Sequence, residues 1–204
     1  MSIVLAPTTP GPLATVAELE ARLGHSVDQD RAFALLLDAS NIVRGYTRQV
    51  ISRVEDDKVV LRFGHGRVIL PQRPADKPTL VERADGSGAI PAVSWWWSGL
   101  GEIDFMNYAL VANGPYYRHA MRAVIVTYSH GYDTIPGDIV AVVCQMVGRV
   151  LDGAISTPGL RSEAIDDYQA NLGGGLVSGT IALVPEEMRA LDKYRVKAGS
   201  VGLR

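Results

Sequence analysis

The chain has 204 residues, enough for one ordinary domain or for a small core carrying one insertion. Hydrophobic residues make up 47% and charged residues 21%, the mixture of a folded chain rather than a disordered one. Lys and Arg number 20 against 22 Asp and Glu, a formal net charge of -2, so no basic surplus marks a nucleic-acid or anionic-membrane surface. No uncharged apolar run approaches the roughly 18 residues of a membrane span. The opening "MSIVLAPTTPGPLA" has no Lys or Arg ahead of its short apolar run, so it is not expected to be a secretory signal, and synthesis in the cytosol is expected. The single cysteine, Cys144, has no disulfide or zinc partner and sits among Val142, Val143, Met146 and Val147, as a small core residue would.

Residues 1–13 carry three prolines without periodicity and predict an extended N-terminal arm. Thr15 with Glu18 forms a capping box and Gly24 a left-handed stop, which predicts a short helix. A second box, Ser26 with Gln29, is expected to open a helix over residues 28–48, in which Ala32, Leu35, Leu36, Ala39, Ile42, Val43 and Tyr46 recur at helical spacing. From about Ile51 to Tyr128 the pattern changes to short β-branched and aromatic runs: "KVVLRF", "RVIL", "TLVER", "AVSWWW", "IDFMNYALV" and "RAVIVTY". Turn residues separate them, which predicts a mostly antiparallel β-rich insertion. "IPGDIVAVVCQMVGRVL" then predicts a central helix, with Pro136 in its first turn, Asp138 near its positive end and a wide apolar face. A polar loop over residues 156–179, a short strand "TIALV", a Pro-initiated helix "PEEMRALDKYR" and an extended tail "VKAGSVGLR" complete the chain. The expected fold is α+β: two main packed helices plus short helices, a β-rich antiparallel insertion and a C-terminal arm. Its expected parts are an arm at 1–13, a discontinuous helical core with loop and hairpin at 14–50 and 129–195, an insertion at 51–128, and an arm at 196–204.

Chemistry-bearing patterns are sparse. His130 precedes Gly131 where a strand must turn into a helix, and it reads as a polar turn residue because no G-x-S-x-G elbow or nearby thiol offers it a nucleophile. His25, His65 and His119 stand singly, without metal-binding spacing. The acidic runs Glu55–Asp57 and Glu163–Asp167 lack the order of a calcium loop and read as solvated turns. The glycines of "NLGGGLVSGT" lack the lysine of a phosphate cradle and read as a hinge. No cofactor is expected. In "WWW", strand alternation turns Trp96 away from the face shared by Trp95 and Trp97. Core packing and a protein interface remain open together for this cluster, with stacking on sugar behind both, and Trp95, Trp96 and Trp97 stand as a candidate protein interface.

Several segments together resemble the head-to-tail adaptor (connector) proteins of long-tailed bacteriophages, particularly those of actinobacterial hosts. They are "ATVAELEARLG", "AFALLLDASNIVRGYT", "VILPQRP" at Val68 to Pro74, "VTYSHGYDTIPGDIVAVVCQMVGRVL", "GLRSEAIDDYQ" at Gly159 to Gln169, and "VPEEMRALDKYR", spanning about residues 14 to 195 in the family's order. The resemblance implies a non-enzymatic ring subunit, usually one of twelve, in the virion neck beneath the portal protein. Such a ring extends the channel through which genomic DNA passes and presents a surface to a stopper or other tail protein. Neighbouring adaptor subunits are its first partners, and no membrane is involved. The resemblance makes Tyr128, Gly131, Tyr132, Pro136 and Asp138 a strand-to-helix signature turn without catalytic duty. It makes Val196, Lys197, Ala198, Gly199, Ser200, Val201, Gly202, Leu203 and Arg204 a portal-binding arm. The long insertion with "SWWWSG" and the proline-rich lead depart from the compact family members. The rivals are a stopper or tail-completion protein of the same particle and a carbohydrate-binding module built on Trp95 to Trp97; an enzyme would have to depend on His130.

Overall fold

The computed structural model describes residues 10–62, 66–106, 123–153, 162–165, 168–171 and 181–196. Its helices are α1 (Val16–Leu23), α2 (Gln29–Thr47), α3 (Gly137–Gly153) and α4 (Pro185–Leu191). Its strands are β1 (Val54–Arg62), β2 (Arg67–Ile69), β3 (Leu80–Arg83), β4 (Trp95–Trp97), β5 (Glu102–Phe105), β6 (Ala123–His130), β7 (Ser162–Ile165) and β8 (Tyr168–Asn171). The fold is α+β, with antiparallel sheets and a β-rich insertion between helices. The chain divides into two compact units, one from Met1–Thr47 and Ile135–Tyr194, the other containing Arg48–Thr134.

In the helical unit α2 packs against α3, while α1 and α4 each touch both. Helix α1 is capped as its sequence requires: the Thr15 side chain accepts from the Glu18 N–H, Glu18 accepts from the Thr15 N–H, and Gly24 closes the helix at φ 77°. Helix α2 spans Gln29–Thr47, within a residue at each end of the expected 28–48, but its cap is not the Ser26–Gln29 box. Asp28 Oδ1 accepts from the Arg31 N–H at 2.8 Å, so Asp28 caps the helix, and Gln29 Nε2 instead donates to Glu20. The buried stripe of α2 runs through Ala32, Leu36, Ala39 and Val43 but also through Ser40 and Thr47. Thr47 is satisfied by donating to the Val43 carbonyl. Ser40 has a tertiary role: its Oγ donates to the Leu36 carbonyl at 2.6 Å and accepts from the Leu13 N–H at 2.8 Å. Leu13 is only 2% exposed, and Arg44 donates to the carbonyls of Pro10 and Gly11. The last four residues of the expected N-terminal arm, 10–13, are therefore docked on α2; residues 1–9 lie outside the described residues.

Helix α3 buries Ile139, Val140, Val142, Val143, Cys144, Met146, Val147 and Val150, each aliphatic side chain contributing about 1.5–3 kcal/mol of transfer free energy. A Cβ on Gly148 would sit 3.3 Å from Leu23 Cδ2, so the glycine lets α1 approach closely. Two expectations for the C-terminal half are corrected. Residues 181–184 form no strand: Arg149 Nη2 donates to the Ala182 carbonyl, the Val184 N–H donates to Glu187 Oε2, and the Val184 carbonyl accepts from the Met188 N–H at the start of α4. Glu163–Ile165 is strand and not loop, pairing as β7 with β8. Asp166, Asp167 and the glycines of "NLGGGLVSGT" lie outside the described residues.

The β-rich unit holds two three-stranded antiparallel sheets, ordered β1-β6-β3 and β2-β5-β4. They share one core, with Val81, Val124, Val126 and Tyr128 from the first and Val68, Ile103, Trp95 and Phe105 from the second. Strand β1 begins at Val54, four residues before the predicted run, because the acidic stretch Glu55–Asp57 is a β-bulge in the ladder with β6 and not a solvated turn. Asp56 takes φ 48° there, and its N–H donates to Ser129 Oγ. Residues 92–94, expected as strand, form a 3-10 turn ahead of β4.

Ser40→Ala would leave the buried Leu13 N–H without an acceptor. A loss of about 1–3 kcal/mol is expected in denaturant unfolding, with the helical content of the folded state unchanged.

Candidate functional site

The strand-to-helix turn is built from β6 upward. Tyr128 is fully buried in the shared core, where desolvation pushes its phenol up to about 12, so it stays neutral at any ordinary pH. Ser129 faces the bulge and donates to Glu55 Oε2 at 2.8 Å. His130 is 1% exposed, its ring centroid 5.2 Å from that of Tyr128, and its Nε2 lies 3.2 Å from Asp57 Oδ2. Burial lowers the His130 pKa, with the Asp57 hydrogen bond opposing it. Its Nδ1 is buried with no hydrogen-bond partner among the described residues, which fits a neutral ring whose Nε2–H donates to Asp57.

Gly131 determines the path of the turn. Its φ is 87°, and a Cβ built there would lie 2.3 Å from the Ser52 carbonyl oxygen. Its N–H donates to the Pro74 carbonyl at 2.9 Å, and the next N–H, of Tyr132, donates to the Ile51 carbonyl at 2.7 Å. Tyr132 is half-buried, and its carbonyl accepts from the Arg53 N–H. The Arg53 side chain gathers Glu55, Asp76 and Asp133, and its pKa is raised chiefly by the hydrogen bond to Asp76.

Pro136 and Asp138 belong to the helical unit. The Pro136 carbonyl accepts from the N–H groups of Ile139 and Val140, opening α3. Asp138 Oδ2 lies 2.6 Å from Lys193 Nζ, and its Oδ1 accepts from the Tyr194 hydroxyl at 2.7 Å. Although desolvation is the largest influence on Asp138 and raises its pKa, the bonds from Lys193 and Tyr194 and the Ile139 N–H together lower it. The aspartate thus ties the start of α3 to the turn after α4. Arg149, further along α3, grips the buried Glu187 of α4 through both guanidinium nitrogens, at 2.5 and 3.1 Å.

Trp95 is buried at 7%, Trp97 is half-buried against the shared core, and Trp96 is 53% exposed on the opposite face. On that outer face, Trp96 stands beside Asp104 and Asp104 beside Arg67, whose Nε lies 2.9 Å from Asp104 Oδ1. Sequence reasoning missed this row, although Arg67-Val68-Ile69 and Glu102-Ile103-Asp104 both alternate in the strand manner that could have suggested it. Of the expected portal-binding arm only Val196 is described, half-buried; Lys197 to Arg204 lie outside the described residues. Among the described residues, no group of three or more His, Cys, Asp or Glu side chains is placed to hold a metal ion, and no helix is long and apolar enough to cross a membrane.

No protein-family model and no curated protein matches the chain. Solved structures do. A chain of the virion of the native gene transfer agent (GTA) particle is similar over 98% of this chain and 98% of its own, at 16% identity and a TM-score of 0.53. A chain from the neck of the native GTA particle, computed with C12 symmetry, is similar over 97% and 96%, at 16% identity and a TM-score of 0.53. Another, from the neck of the empty particle computed with C6 symmetry, covers 97% and 95% at 15% identity and a TM-score of 0.50. At such identities the likeness is one of fold.

Two outcomes are expected at the turn. Gly131→Ala forces a Cβ onto a backbone oxygen at positive φ, so unfolding free energy should drop by about 2 kcal/mol or more. Because the folded His130 pKa lies below the unfolded value of about 6.5, the unfolded chain takes up the extra proton. Its contribution to stability should be complete above that pH and be lost as pH falls below it. Melting curves from pH 8 to 5 should show this slope, and His130→Gln should flatten it.

Proposed function

We propose that this chain is a structural neck protein of a phage-like particle, a head-to-tail adaptor whose copies form a ring beneath the portal. The observation that carries the reading is the end-to-end fold likeness, over 97% of this chain and 96% of the other, to a chain from a GTA neck computed with C12 symmetry. The sequence motifs point the same way and narrow it to adaptors of long-tailed phages of actinobacterial hosts. The composition of the signature turn supports a structural role: His130 is enclosed against Asp57, and Gly131 is held by backbone contacts on both sides. The ring is dodecameric in this reading, docks on the portal through Val196 to Arg204, and offers its far side to a stopper or tail protein. Genomic DNA passes through without sequence-specific contacts, and the formal net charge of -2 avoids the phosphate grip of a strongly basic lining.

Light scattering of the purified protein, alone and mixed with portal rings of the same particle, tests this. A stoichiometric ring-on-ring complex is expected, and a chain lacking Val196 to Arg204 should remain folded yet fail to join it. A chain that stays separate from the portal at high concentration overturns the adaptor reading, and a truncated chain that binds normally overturns the role of the arm.

A further inference from the structure

The sheet β2-β5-β4 has two outer strands that, among the described residues, pair on one side only. Hydrogen bonds fix which backbone groups face outward. Phe105 donates to the Gly66 carbonyl and Leu70 to that of Gly101, so residues 66, 68 and 70 face β5 while Arg67 and Ile69 direct their N–H and C=O groups away. Met106 donates to the Ser94 carbonyl and Ser98 to that of Glu102, so Trp95 and Trp97 direct theirs away on the other edge. Both outer strands run antiparallel to β5 and hence parallel to each other.

The two edges also differ in side-chain chemistry. At β4, Trp96 is 53% exposed, and Met106, which stands opposite Ser94 and so on the same outer face, is 70% exposed. Val93, in the 3-10 turn ahead of β4, and Leu100, in the turn after it, are 84% and 76% exposed. Large apolar side chains exposed on one face, as Trp96 and Met106 are, suit an interaction surface. At β2 the Arg67 side chain is 53% exposed and pairs with Asp104 at 2.9 Å and Glu102 at 3.5 Å. A planar guanidinium positioned by carboxylates is suited to cover an indole face.

We propose that this sheet is the flank through which one copy of the chain meets the next: the open edge of β4 lies beside the open edge of β2 of a second copy, and Arg67 of that copy covers Trp96. The inference rests on the ring reading above and names the surface that closes the ring. Rotation about a ring axis brings β4 alongside β2 in the same direction, so the sheet continues as a parallel pair. A two-fold β4-β4 contact would instead close a dimer and leave β2 open. A foreign partner requires only one of these edges; a second copy uses both, and explains why indole and guanidinium occupy opposite margins of one sheet. Within a single copy they are two strands apart, about 9–10 Å between backbones.

The test replaces Trp96 with photoreactive p-benzoylphenylalanine in the full chain, mixing isotope-labelled and unlabelled copies, alone and docked on portal rings. After irradiation, cross-links between labelled and unlabelled copies are expected at residues 66–70, mapped by mass spectrometry. Trp96→Asp, on an outward face, should keep the melting temperature yet raise the concentration for half-assembly by about tenfold or more. Rings that form while cross-links fall elsewhere, or rings that Trp96→Asp leaves unaffected, overturn this interface and leave the adaptor reading standing. A chain that forms no ring, alone or with portal, overturns both.

Discussion

The absence of room for a side chain at Gly131 is the constraint on which the rest depends. Residue 131 is where β6 ends, with Ser52 backbone atoms occupying the space a Cβ would take and two successive N–H groups bonded to carbonyls of Pro74 and Ile51. Strand β6 is the central strand of its sheet, paired by β1 on one side and β3 on the other. A few residues later the same segment opens α3, the helix against which α1, α2 and α4 all pack. One stretch of chain thus supplies the central strand of one unit and, a few residues on, the helix that the other helices of the second unit touch. His130, the residue before this glycine, is 1% exposed, with its Nε2 3.2 Å from Asp57 Oδ2.

Polar contacts are the second theme, and several tie segments distant in sequence. Ser40 holds the N-terminal lead at Leu13, 27 residues away, and Arg149 holds Glu187, 38 residues away. Glu187 is 4% exposed, so its carboxylate is tolerable only because the guanidinium and the Val184 N–H surround it. Asp138, whose side chain is 36% exposed, likewise receives Lys193 and Tyr194. These contacts confer specificity of arrangement as much as free energy: an apolar stripe on α3 would accept a neighbouring helix in several registers, whereas a paired guanidinium and carboxylate accept one.

The outward-facing sheet follows a different logic. Trp95 and Trp97 serve the core while Trp96 faces out, so a single tripeptide contributes to both stability and surface. Under the ring reading proposed above, exposed aromatics and outer strand edges are expected features, since surfaces left bare in one copy are covered in the assembly.

The sequence by itself determined the α+β class, the box that starts α1, the glycine that ends it, the apolar face of α3 and the alternation of the three tryptophans. All of these depend on spacings within a few residues, where the backbone geometry of helix and strand dictates which side chains share a face. It chose the wrong cap for α2, because Ser26 and Asp28 are both good caps and only the fold selects Asp28. It took Glu55 to Asp57 for a turn and residues 180–184 for a strand, because a bulge is defined by its partner strand and a strand by a ladder that residues 181–184 do not find. Only the tertiary structure decided that Leu13 belongs to the core, that Arg67 and Trp96 lie in one row with Asp104, and that Gly131 is hemmed in by Ser52. Such pairings join residues that local periodicity cannot connect, and they exist only once the chain has closed on itself.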